Sequence, residues 1–355
     1  MKTLFTFILV VALFTGCQNS GRKTTDSGNG DAQKLTAAGA TFPLPFYNMI
    51  FKNYAAETNV QVNYGGVGSG GGIRSLKDQV VDFGATDAFL TDDQLKEMPA
   101  EVVHIPTCIG AVVIAYHLPG VDSLKLSNEL LEKIFLGEIK NWNDPLLKKE
   151  NPGVKLPDQA LTVVYRSDGS GTTNIFSDYM TRISKKWADQ VGSGKSLKWP
   201  VGMGAKGNPG VAGTISQTPG TIGYIGSEFA FAQKIQTARV RNSAGTYILP
   251  DIASISAAAK GDIPADTRVM LTNSSDPASY PISGFTWLIL YKDQNYKNRS
   301  KEQALATLKL LDWVLSEQAQ GNASKVHYAP LPQDAVNKGK AVLRTVTWNG
   351  EPLLN

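Results

Sequence analysis

Cysteine is scarce in this chain, with 2 in 355 residues, at Cys17 and Cys108. Cys17 stands in a processing motif, which leaves Cys108 without a partner and excludes a disulfide framework. Histidine is nearly as rare: the 3 present, His104, His117 and His327, are scattered, with neither H-E-x-x-H nor any paired spacing. The usual ligands of a histidine metal centre and the usual base for a nucleophile are therefore missing. Ser69 and Ser170 lie in glycine-rich loops but not in a G-x-S-x-G elbow, so a secreted phosphatase or esterase is a rival without its machinery. No dense Lys/Arg run occurs and the formal net charge is only +4, which gives no nucleic-acid footprint. The apolar run at the start, Leu4 to Phe14, is too short to span a bilayer.

Lys2, that run and the residues "FTGC" read together as an export signal. Gly16 directly before Cys17 resembles the lipobox of bacterial lipoproteins, with Phe14 where leucine is usual. Residues 1–16 are therefore expected to be removed, leaving Cys17 as an acylated N-terminus anchored in a lipid bilayer. From 17 to 34 the chain is Ser, Gly, Thr, Asn and charge, with Ala32 the one apolar residue after the cysteine, and reads as a flexible tether. Cys108, inside "VVHIPTCIGAVVIAYHL", reads as a small buried hydrophobe. The remainder exceeds the size at which one core usually keeps growing, so two lobes are expected.

Short β-like runs alternate with helix-like ones: "VQVNY", "VVDFGA", "VVHIP", "GAVVIAYHL", "LTVVYR", "TIGYIG" and "FTWLILYK". This is the pattern of α/β layers. The helical period predicts a helix over about 172–187 with Ile175, Phe176, Tyr179, Met180, Ile183 and Trp187 on its core face. It predicts another over about 301–320 with Leu305, Leu308, Leu311 and Leu315. A third starts at Pro43 or Pro45 and turns Phe46, Met49, Ile50 and Tyr54 inward.

Three helix-like segments are preceded by small residues and hydroxyls: "AGATFP" (38–43), "GVGSGGG" (66–72) and "RSDGSGTT" (166–173). Each offers free N–H groups, a positive helix end and hydroxyl donors, the chemistry for a compact anion. Taken singly, Thr41, Ser69 or Thr172 could merely cap its own helix; the recurrence favours a ligand. Gly66, Gly68 and Gly71 also fit a dinucleotide fingerprint, a weak match in a loop pattern that occurs three times. Arg166, directly after a strand, brings a planar fork of donors, with a salt bridge to Asp168 as its structural alternative. A fourth loop, "DFGATD" (82–87), places Asp87 at a strand end. An ionised carboxylate only accepts hydrogen bonds, so Asp87 suits an anion that still carries a proton. Its plainer role is that of a turn acid.

In order along the chain, "AGATFP", "VNYGGVGSGGG", "VDFGATDA", "FLGEIKNWND", "RSDGSGTT", "KWPVGMGAKGNPGVAG", "PGTIGYIG" and "DWVLSEQAQ…YAPLP" resemble the periplasmic phosphate-binding proteins of bacterial ABC phosphate uptake systems. The resemblance implies a type II periplasmic-binding fold, in which two α/β lobes, each a mixed sheet flanked by helices, are joined by two hinge crossings. It implies one lobe of 35–116 plus 286–355 and another of 117–285. It further implies a monomer that is not an enzyme, takes no metal or cofactor, captures inorganic phosphate and delivers it to membrane permease subunits. The phosphate-binding positions it implies are Thr41, Phe42, Ser69, Asp87, Arg166, Ser170, Gly171 and Thr172, with Asp168 supporting the arginine. Two departures are visible: Gly70 where a second serine is familiar, and Ser167 in place of a small apolar residue. A binding protein for sulfate or molybdate is the nearer alternative, and Asp87 is the discriminator, because those anions bring no proton for it to accept.

Overall fold

The computed structural model describes residues 33–297 and 299–354. The expected signal, Cys17 and most of the expected tether lie outside the described residues. The first strand, Gln33–Gly39, begins two residues inside that stretch, because Gln33 and Lys34 pair in register with Val60 and Gln61.

Among the described residues the main sheet has nine strands. Across it run Val60–Gly66, Gln33–Gly39, Phe83–Thr86, Ser283–Tyr291, Val102–Tyr116, Thr221–Gly226, Thr162–Arg166 and Met203–Ala205, while Gln236–Thr237 pairs with Val102–Tyr116 beside this path. The first three are mutually parallel, as are the last three, and Ser283–Tyr291 and Val102–Tyr116 join the two sets through antiparallel pairing. Val102–Tyr116 belongs to both halves, since residues 102–111 pair with Ser283–Tyr291 and 112–116 with Thr221–Gly226. All 15 of its residues are buried, which its nearly continuous apolar sequence allows where both faces are covered. Pro106 cannot donate to a ladder, and the register shifts between Thr286 and Trp287 opposite it, a bulge that accommodates a proline in a central strand.

Helices cover the sheet. Leu44–Thr58 starts after Pro43, as expected, and buries Phe46, Ile50 and Tyr54; Tyr47 and Phe51 join them while Met49 is half-buried. The helix expected over 172–187 is two, Gly171–Ile183 and Lys185–Gln190. Ser184 is extended between them and its hydroxyl accepts from the Trp187 amide, so the capping preference of serine breaks the run while Trp187 stays buried. Likewise Lys301–Val314 stops short of 320, with Ser316 capping a separate turn Glu317–Gln320. Leu308, Leu311 and Leu315 are buried as expected, and Leu305 only half so. Cys108 is fully buried and burial pushes its thiol well up.

An ion pair and its hydrogen bonds tie the start of the helix Lys301–Val314 to the residue that precedes the strand Phe83–Thr86. Asp82 takes hydrogen bonds from the Thr36 amide at 2.7 Å, Gln303 Nε2 at 2.7 Å and the Arg299 guanidinium, and both charged side chains are about 5% exposed or less. Asp82→Ala leaves Arg299 buried without its carboxylate, and is expected to cost about 3–5 kcal/mol. The check is a lower urea midpoint at an unchanged slope.

Candidate functional site

Three antiparallel steps separate the two sets of three parallel strands, so the sets run in opposite directions, and the segments that follow their C-terminal ends, where α/β folds hold their ligands, come together. Thr41 and Phe42 follow Gln33–Gly39; Gly68 and Ser69 follow Val60–Gly66; Asp87 follows Phe83–Thr86; Arg166 closes Thr162–Arg166; Gly207 and Asn208 follow Met203–Ala205; Glu228 follows Thr221–Gly226. Three of these ends lead into helices of eight residues or more that begin at Leu44, Ser69 and Gly207, and Ser170 caps the helix Gly171–Ile183 by accepting from the Thr173 amide at 2.9 Å. The first amides of a helix have no partner within it. Among the described residues no protein acceptor meets the N–H groups of Phe42, Ser69, Gly171 or Thr172.

Asp87 is 1% exposed. Its Oδ1 accepts from Thr286 Oγ1 at 2.9 Å and its Oδ2 from Ser69 Oγ at 3.3 Å, while its own amide donates to Ser69 Oγ at 3.1 Å. Desolvation pushes the carboxyl up to about 7, against the opposing pull of Thr286, Arg166 and Ser69. Gly171 comes so close that a Cβ there would lie 2.4 Å from Ser69 Oγ and 2.5 Å from Asp87 Oδ2.

Arg166 and Asp168 form a bidentate pair, Nε to Oδ1 at 2.8 Å and Nη2 to Oδ2 at 2.5 Å. Burial works against the charged form of Asp168, but Arg166 and the Gly207 amide, at 2.9 Å from Oδ1, hold its carboxyl below the usual range. The remaining arm of the guanidinium, Nη1, donates to Thr172 Oγ1 at 3.3 Å. The salt bridge therefore leaves one arm of the fork to reach the hydroxyl of Thr172, beside the free amides. Gly68 answers why so much bare backbone precedes Ser69: at φ +86° its Cβ would meet Asp168 Oδ2 at 2.4 Å and Gly169 O at 2.9 Å. The loop packs so tightly against the arginine's partner that the Gly70 amide donates to Gly169 O at 2.8 Å.

The structure thus brings Thr41, Ser69, Asp87, Arg166, Asp168, Gly171 and Thr172 into one connected cluster. Ser170 joins it through its cap, and Phe42 through its amide beside Thr41, its carbonyl accepting from Tyr328 at 2.5 Å. Sequence reasoning missed Asn208, Thr286 and Glu228. Asn208 had a signal, an amide residue in "KGNPG" opening a helix. Thr286 had none, because 199 residues separate it from the aspartate it bonds. Burial raises Glu228 well above the ordinary carboxylate range, and neither carboxylate oxygen has a hydrogen-bond partner among the described residues. Among those residues no group of three or more His, Cys, Asp or Glu could hold a metal ion, and no helix is long and apolar enough to cross a membrane.

A cluster of amides and hydroxyls at the strand ends of a two-lobed α/β sheet is the architecture of the type II periplasmic binding proteins. The family model of the PBP superfamily domain matches residues 24–318. The phosphate-binding protein PstS of Haemophilus influenzae is 40% identical over 321 residues, 88% of this chain and 93% of that one. That of Pasteurella multocida is 37% identical over 319 residues, 88% and 91% of the two chains. A solved high affinity periplasmic phosphate-binding protein, bound with phosphate, superposes with a TM-score of 0.71 at 22% identity over 87% of this chain and 93% of that one. The chain belongs to the PBP superfamily, in its family of phosphate-binding proteins.

Proposed function

We propose that this protein captures inorganic phosphate in the cleft at the strand ends and passes it to the membrane permease subunits of an ABC phosphate importer. The amides of Phe42, Ser69, Gly171 and Thr172, the hydroxyls of Thr41, Ser170 and Thr172, and the guanidinium of Arg166 supply donors for the phosphoryl oxygens. Asp168 holds the arginine. Asp87 carries the reading: in its ionised form a buried carboxylate at the heart of a donor-rich cluster offers only acceptors, and an anion with a hydroxyl of its own supplies the donor they need. Sulfate and molybdate bring none at neutral pH and would leave its oxygens facing theirs.

The protein binds and does not transform its ligand, and needs no cofactor. Its two lobes, 35–116 with 286–355 and 117–285, close on the anion as a monomer. Cys17 carries the lipid that keeps it at a membrane, outside the cytoplasm. What supports this wider role is the family, the signal-like first 16 residues and the glycine before the cysteine.

Calorimetric titration of anion-stripped protein with phosphate, arsenate and sulfate tests the proposal. One phosphate per chain, displaced by arsenate and untouched by sulfate at an excess of about a thousandfold, is the expected result. Equal competition by sulfate ends the proton-reading argument, and turnover of a phosphate ester in proportion to protein would make the chain an enzyme.

A further inference from the structure

Asn208, the second residue of the helix Gly207–Gln217, is fully buried and saturates its side chain. Its Oδ1 accepts from the Gly226 amide at 3.0 Å. A backbone N–H only donates, so this bond fixes the orientation of the side-chain amide and leaves Nδ2 facing Thr41 and Thr172. The Nδ2 hydrogens go to Thr41 Oγ1 at 3.2 Å and to Thr172 Oγ1 at 3.0 Å. These hydroxyls stand in two separate segments far apart in sequence, Thr41 ahead of the helix Leu44–Thr58 and Thr172 in the first turn of Gly171–Ile183.

A hydroxyl has one hydrogen and two lone pairs. Thr41 Oγ1 accepts twice, from Asn208 Nδ2 and from the Asn208 backbone N–H at 3.1 Å. Thr172 Oγ1 also accepts twice, from Asn208 Nδ2 and from Arg166 Nη1. Both lone pairs of both oxygens are thereby engaged. What each threonine has left is its hydrogen, and among the described residues neither hydrogen has an acceptor.

We infer that Asn208 is the positioning residue that makes Thr41 and Thr172 obligatory donors, so that the cleft presents hydrogens to bare phosphoryl oxygens there and confines hydroxyl recognition to Asp87. This rests on the phosphate reading of the same site and adds to it a residue that fixes donor polarity. Without Asn208 each hydroxyl regains a lone pair that can turn toward the ligand, and the two segments lose the amide that joins them.

The test is a double-mutant cycle read by phosphate affinity. In the otherwise unaltered protein, Asn208→Ala is expected to weaken inorganic phosphate about tenfold or more. In a Thr41→Val/Thr172→Val background it should change affinity less than about twofold, since Asn208 then has no hydroxyl to orient. The same factor in both backgrounds means that Asn208 is merely structural, and no loss in either means that it has no part in binding; each overturns the inference. If Asn208→Ala lacks a cooperative thermal transition, Asn208→Ser, which keeps a polar group near the Gly226 amide, is run through the same cycle, and the same two results overturn the inference. Failure of the unaltered protein to bind phosphate would sink the functional reading instead, so the two failures are distinct.

Discussion

Asp87→Asn is expected to weaken phosphate binding about a hundredfold while strengthening that of sulfate, collapsing a discrimination of ~10⁴ that hydroxyl-reading sites reach. The carboxylate has Oδ1 held by Thr286 at 2.9 Å and Oδ2 turned toward Ser69 and the start of the helix at Gly171. Asparagine keeps the shape but exchanges one acceptor for an NH₂ donor. If that donor replaces Oδ2, it faces a P–OH badly and a sulfate oxygen well. Paired titrations of the two proteins with both anions check it, and an unchanged affinity ratio would contradict the role given to Asp87.

The same substitution has a signature in ligand-free protein. Desolvation raises the Asp87 carboxyl to about 7, above its unfolded value of about 3.9. The native state therefore binds more protons than the unfolded state between those values, and stability falls as pH rises through that window. The contribution is fully present below about pH 4 and is lost as pH passes about 7. The asparagine side chain of the variant cannot titrate, so the variant lacks this part of the slope. Glu228 is raised by burial and further by the charge of Asp87, so the difference between the melting profiles of the two proteins in anion-free buffer reads Asp87 together with its influence on Glu228.

The second large effect is expected of Gly171→Ala. This position opens the helix Gly171–Ile183, where alanine is a better helix former than glycine by about 1 kcal/mol; local propensity therefore favours the change. The added methyl would nevertheless sit 2.4 Å from Ser69 Oγ, 2.5 Å from Asp87 Oδ2 and 2.6 Å from Asp87 Cβ, all inside van der Waals contact. Relief requires the separate segments bearing Ser69 and Asp87 to move away from the amides of Gly171 and Thr172. Displacements of about 1 Å in such constellations cost about a hundredfold. Phosphate affinity should drop by at least that factor while the protein still unfolds cooperatively. Tight binding in the variant would show that the two loops do not jointly hold the anion.

The loops were legible because their chemistry is local. Hydroxyls and glycines ahead of a helix announce free amides wherever the helix ends up, and an arginine closing a strand points out of the sheet. Helix ends were less so: Ser184 and Ser316 read as ordinary polar positions within a helical period, and only their capping bonds show that the run stops there. Thr286 and Asn208 were invisible as partners. Thr286 lies in a strand laid beside Phe83–Thr86 by antiparallel pairing, and Asn208 meets Thr41 across 167 positions of chain.

By itself the amino-acid sequence determined the α/β class, the elements that carry donors, and the choice of an acid at position 87, since each follows from periodicity or from the intrinsic chemistry of short stretches. Only the tertiary structure decided which hydroxyls face which partners. Hydrogen-bond polarity is set by neighbours within about 3 Å, and here those neighbours come from strands and loops that the chain brings together over more than a hundred residues.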